Sequence, residues 1–207
     1  MAISVESLPP PGWDPRGIDL LLSAFPAGRL SEIVGPRSSG GSSLLLALLA
    51  RATRAGRQVA LVDAADALDV ASAIASGVEL SRLLWVKCGG RLPSALRAAD
   101  LLARCPGFAV VALDLGEGPL TRDHGVSSSL GLRLHRAVEG TSAILVLRVP
   151  HRLTGSAAAL VVELHRRQAR WIGVPRPTRL AGLDSEARIL RSRSGGTPGA
   201  WAIEWRL

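Results

Sequence analysis

The chain has 207 residues, 47% hydrophobic but only 3% aromatic and without tyrosine, so it suits one domain with a core of Ala, Val, Leu and Ile. Its 25 basic side chains, all arginine but Lys87, outweigh 17 acidic ones for a formal net charge of +8. No apolar run reaches the ~18 residues of a membrane helix and no basic-then-apolar leader opens the sequence, so neither a membrane span nor a signal peptide is expected.

Residues 1–27 read as an N-terminal arm and 28–207 as a single core. The arm holds the proline-rich, irregular "SLPPPGWDPRG" and a short apolar segment, "IDLLLSAF". From "RLSEIV" onward strands and helices alternate. "SSLLLALLARATRAG" is a helix stopped by Gly56, "QVALVDA" a second strand, and "ADALDVASAIASG" a helical stretch leading into the strand "RLLWVKC". "LPSALRAADLLARC" has apolar residues at helical spacing, and "FAVVALDL" is a continuous buried-type strand. A polar loop, "GEGPLTRDHGVSSS", precedes the helix "LGLRLHRAVEG" and the strand "SAILVLRV". This alternation predicts an α/β fold with a mostly parallel central sheet flanked by helices. "AAALVVELHRR", "EARILRSRSG" and "AWAIEWRL" read as closing strands, the last two joined by "SGGTPGA" into an antiparallel hairpin.

Within "GRLSEIVGPRSSGGSSLLLALLARA" the pattern G-x-x-x-x-G-K-[S/T] is met at Gly35, Gly40 and Ser42, but Gly41 stands where the lysine belongs. A phosphate loop needs a strand, a glycine-rich turn whose N–H groups surround phosphate oxygens, and a helix N-terminus; all three are present. Neither Ser42 nor Ser43 supplies the missing charge, whereas Arg37 lies inside the turn. The segment is thus a nucleotide or phosphate site formed by Gly35, Arg37, Gly40, Gly41, Ser42, Ser43 and Asp114, or an inherited turn that keeps only its shape.

The order "GRLSEIVGPRSSGGSSL", "GRQVALVDAADALD" and "FAVVALD" resembles the RecA recombinase core, and "EARILRSRSG" with "GAWAIEW" resembles its hairpin. The resemblance implies a RecA-like P-loop NTPase fold. It also implies a water-activating glutamate where Ala65 stands, a magnesium-associated acid at Asp114, and a polar sensing glutamine where Arg148 and Val149 stand. With lysine, glutamate and sensor all replaced, no catalytic residue, metal site or resident cofactor is expected; the alternative is a divergent DNA-dependent ATPase using Mg-ATP. "PRGIDLLLSAFPAGRLSEIVGP", the lysine-free turn, "RAGRQVALVDA" and "LSRLLWVKC" look like the ImuA family. That resemblance implies a cytoplasmic, non-catalytic accessory factor of inducible translesion synthesis. Its implied partners are an ImuB-like inactive Y-family polymerase, an error-prone replicative-type polymerase reached indirectly, RecA and single-stranded DNA, with no membrane.

Charge is concentrated late: from Arg148 to Arg193 ten arginines stand against Glu163, Asp184 and Glu186. Arg166, Arg167, Arg170, Arg176 and Arg179 form a candidate path for phosphate backbone with Trp171 to stack on a base, or else a protected strand edge. Asp63, Asp66 and Asp69, spaced by three, fit a helix start and N-cap better than a metal cluster. His124, His135, His151 and His165 lack ligand or triad spacing, and Cys88 and Cys105 read as isolated reduced thiols. Trp201 and Trp205 share one face of the last strand, as hairpin packing or a partner surface.

Overall fold

Strands that are apolar on both sides must be covered on both, and the chain's first strands run almost unbroken into the interior. A computed structural model describes residues 17–116, 128–174, 176–193 and 200–206. Its elements are α1 (Gly17–Ser23), β1 (Arg29–Val34), α2 (Gly41–Arg54), β2 (Gln58–Asp63), α3 (Val70–Ala75), β3 (Leu83–Lys87) and α4 (Leu92–Arg104). There follow β4 (Phe108–Asp114), α5 (Ser128–Val138), β5 (Ile144–Val149), β6 (Leu160–Ile172), β7 (Arg179–Ser192) and β8 (Ala200–Arg206). The loop expected after Asp114 lies, from residue 117 to 127, outside the described residues, as does His124.

One eight-stranded sheet has the order β3-β2-β4-β5-β1-β6-β7-β8. β3 through β6 in that order pair in parallel, and β6-β7-β8 form an antiparallel meander that contains the expected hairpin. Period-two alternation sorts the side chains between two cores. Leu30, Val62, Leu113 and Leu147 pack under α4 and α5. Ile33, Leu61, Ala112 and Val146 pack under α1, α2 and α3 on the opposite face. The fold is therefore mixed α/β, with helices on both faces of a mostly parallel sheet.

Two details depart from the sequence reading and one extends it. The apolar segment "IDLLLSAF" packs on the core: α1 buries Leu21 and Leu22, with Phe25 after it, in the cluster that also holds Ile203 of β8. The helix expected from residue 65 begins only at Val70. Asp63 accepts from the N–H groups of Ala67 and Leu68 at 3.0 and 2.8 Å, which holds the chain in a turn until Asp69 caps the helix through Ser72 N–H. β6 runs on past Arg167 to Ile172 and β7 begins at Arg179, before the expected start at Glu186, with register shifts at three places.

Candidate functional site

The glycine-rich turn sits at the C-terminal edge of the parallel strands, where open α/β sheets place their ligands. β1 ends at Val34, and Gly35 N–H donates to the Val149 carbonyl at 3.1 Å, tying the turn to the end of β5. A Cβ at Gly35 would lie 2.5 Å from Ser39 Oγ and 2.7 Å from the Leu164 carbonyl oxygen, so no other residue fits there. Ser38 and Gly40 take positive φ of 59° and 95°, and Leu44 N–H then donates to the Gly40 carbonyl at 2.9 Å as α2 begins. The roof over Gly40 comes from the hairpin. Trp205 Nε1 donates to Ser185 Oγ at 3.2 Å, and a Cβ at Gly40 would meet those two atoms at 2.5 and 2.8 Å. Arg37 and Ser42 are exposed, Ser43 is half-buried, and Ser39 is buried.

Beside the turn, strand register builds a charged row. Lys87 pairs with Asp63, Asp63 with Asp114, Asp114 with Arg148, and Arg148 with Ile33 across β3, β2, β4, β5 and β1. The parity of these positions directs Asp63, Asp114 and Arg148 to the α2 side of the sheet. Asp63 is consumed locally: besides the turn it accepts from Trp85 Nε1 at 3.2 Å, and Lys87 Nζ sits 5.1 Å from the Trp85 ring centre. Asp66 accepts from Cys88 and Gly89 N–H at 2.8 and 3.0 Å. The three aspartates therefore each hold backbone. Hydrogen bonds from Ser72 keep the Asp69 carboxyl below its ordinary range, and burial, reinforced by Asp66 and Asp63, pushes the Cys88 thiol up.

Asp114 meets Arg148. The guanidinium donates from Nε at 2.8 Å and from its terminal nitrogen at 2.7 Å, both to Asp114 Oδ1, which also accepts from Gly116 N–H at 2.9 Å. The stem of Arg148 lies over the turn: a Cβ at Gly41 would be 3.4 Å from its Cδ and 3.6 Å from its Cγ. Ala65 faces this corner, with its Cβ 3.4 Å from where a Cβ on Gly116 would stand. As arranged, these residues do not fit a magnesium nucleotide, because position 41 brings no cation and the one carboxylate at the end of β4 is already held by arginine. Sequence reading named Arg148 only as a departure from a sensor. Its partnership with Asp114 required knowing that β4 and β5 are neighbours and in which register.

The basic positions of the tail separate into two sets. Arg167 and Arg188 both bond the buried Glu186, and Arg170 bridges Asp184 and Glu204 at 3.3 and 2.6 Å, so these three arginines brace the meander. Arg166, Arg176 and Arg179 are exposed. They lie along the far end of β6 and β7 with Trp171, which is 53% exposed, and Val174, which is 97% exposed. Trp201 and Trp205 instead pack on the α2-side core around buried Ile203, on one face as their spacing predicts. His165 bonds Glu163 at 2.8 Å, His135 lies 3.8 Å from Glu139, and His151 is exposed. Among the described residues no group of three or more His, Cys, Asp or Glu is placed to hold a metal, and no helix is long and apolar enough to cross a membrane.

The family model of the RecA N-terminal domain matches residues 12–124, more than half of the chain and the whole stretch from before α1 through the turn and Asp114. This chain belongs to the RecA N-terminal domain family. Protein RecA of Azoarcus sp. (strain BH72) is 39% identical over 100 residues, 47% of this chain and 29% of that protein. Protein RecA of Methylococcus capsulatus is 42% identical over 97 residues, 47% of this chain and 28% of that protein. The chain thus spans under a third of the length of these RecA relatives. The crystal structure of the RadB recombinase superposes with a TM-score of 0.64 at 17% identity, covering 91% of each chain, and so shares the fold.

Proposed function

We propose that this RecA-family protein is a non-catalytic accessory factor of SOS-inducible translesion DNA synthesis. In this reading it bridges an ImuB-type inactive Y-family polymerase relative, and through it an error-prone replicative-type polymerase, with RecA and single-stranded DNA as further partners. One observation carries the reading: a RecA-like fold is kept around a turn where Gly41 replaces the loop cation, Ala65 the general base, and Arg148 engages Asp114. A transition state at a γ-phosphate needs positioned positive charge and an oriented water; position 41 brings no cation and Ala65 no base, which supports a non-catalytic reading. The resemblance to the ImuA family, rather than the fold, selects the partners.

The test pairs purified protein with a purified ImuB-type partner and measures phosphate release in parallel. A stable complex, with release at the blank level in millimolar Mg-ATP and single-stranded DNA, is expected. Release above blank that disappears in Asp114→Ala would establish the ATPase instead, and no complex with either the ImuB-type partner or RecA removes the bridging role. A second reading, a direct DNA-binding module, is favoured by the exposed Trp171 beside Arg166, Arg176 and Arg179.

A further inference from the structure

We propose that Arg148 stands in for the lysine the turn lacks, its stem filling the space over Gly41 and its guanidinium neutralising Asp114, so that the phosphate site is closed from within the chain. The inference rests on the non-catalytic reading and says how the fold survives it.

Removing a lysine from a phosphate turn leaves two defects: a gap at the first turn of α2 and an acid without a counter-charge at the neighbouring strand end. Arg148 mends both. It belongs to β5, directly opposite Asp114 in register on one side and Ile33 on the other, and its parity sends it toward α2. Its Cδ and Cγ lie 3.4 and 3.6 Å from a Cβ built on Gly41, with Ile33 Cγ2 at 3.9 Å completing the contact. The side chains of Arg148 and Asp114 are only 15% and 18% exposed, so each charge needs the other.

Gly41 and Arg148 are therefore complementary. A methyl group at 41 is in ordinary contact range, but a long side chain contests the arginine stem, and a second cation faces the first. Arg148 also differs from a loop lysine in what it can serve. Its stem is anchored on the sheet and two donors converge on one carboxylate oxygen, whereas a lysine at the helix start would reach toward terminal phosphates.

A melting cycle decides the point, using wild type, Gly41→Lys, Arg148→Gln, the double variant, and Gly41→Ala as backbone control, each also titrated with Mg-ATP. Gly41→Ala is expected to melt between the wild-type temperature and about 4 °C above it, and Gly41→Lys about 3 °C or more below wild type. Arg148→Gln lowers Tm by itself, yet the double variant melts above Gly41→Lys, because the new lysine inherits the space and Asp114. Additive losses in the double variant overturn the exchange, as does Mg-ATP binding by Gly41→Lys with Arg148 still in place. Should the lysine variant not fold, Gly41→Met runs the same cycle with an uncharged stem and the same criterion. Mg-ATP binding by wild type overturns the closure of the site, whereas phosphate release by wild type overturns the non-catalytic reading while the melting cycle still judges the pair.

Discussion

Adjacent glycines at 40 and 41 carry opposite constraints, and substitution separates them. Gly40 needs its positive φ of 95° and the closeness of Trp205 and Ser185, whereas Gly41 is helical and open to a methyl group. Gly40→Ala should therefore cost about 1–3 kcal/mol, combining left-handed strain with displacement of the indole. Gly41→Ala should lie between neutral and about 1 kcal/mol stabilising, the helix-propensity gain over glycine. Urea unfolding at constant m-value reads both. At this scale the sequence was informative about which side chains are missing and silent about which replaced them. Gly41 is visible in a pattern match, but the Arg148–Asp114 bond spans 34 positions and exists only once β4 and β5 are paired.

Helix α4 shows how element and charge cooperate. Ala95, Ala99 and Ala103 repeat every four residues on its buried face, and these small side chains let it lie close on the sheet. Asp100 accepts from Arg104 of its own helix at 3.2 Å and from Arg133 of α5 at 3.3 Å, tying the two helices. Burial disfavours its charge, but the two arginines together outweigh that and hold its carboxyl below the ordinary carboxylate range. A depressed carboxyl contributes stability above its unfolded value and loses it as pH falls through the folded one, so the tie weakens below about pH 4. Asp100→Asn should accordingly flatten the acid limb of a Tm against pH curve between pH 3 and 6, with the smallest difference from wild type at the acid end.

The order of strands and helices was legible because each was bounded by glycine, proline or a cap and had an unambiguous period. The meander's length was not, since shifts at Val161/Val162, Arg166/Gln168 and Arg170/Trp171 break the alternation that marks a strand. The late start of α3 was equally hidden, because Asp63 captures the N–H groups of Ala67 and Leu68 before a helix can use them.

Taken whole, the molecule has its surplus positive charge at one end of the sheet, and the arginines there are not equivalent. Charge reversal of Arg166, Arg176 and Arg179 together should reduce the salt slope of single-stranded DNA binding by about 2, given roughly 0.7 per neutralised phosphate. Trp171→Ala should weaken binding by about 1–3 kcal/mol with little change in that slope, as loss of a stacking platform predicts. Arg167→Glu should instead lower Tm, since it places a carboxylate against Glu186 in the brace of the meander. Fluorescence anisotropy across a salt series and a melt of each variant distinguish these effects. An unchanged slope after triple reversal leaves the meander tip to a protein partner.

The indole of Trp205, donating to Ser185 above Gly40, also gives the protein an optical property. The chain has no tyrosine and five tryptophans; of the described ones, Trp85, Trp201 and Trp205 pack against the α2-side core and Trp171 is exposed. Trp85 touches the Asp63 turn, and Trp171, Trp201 and Trp205 belong to the meander. Trp205 emission therefore registers any ligand or partner that shifts the glycine turn beneath it, without an added label.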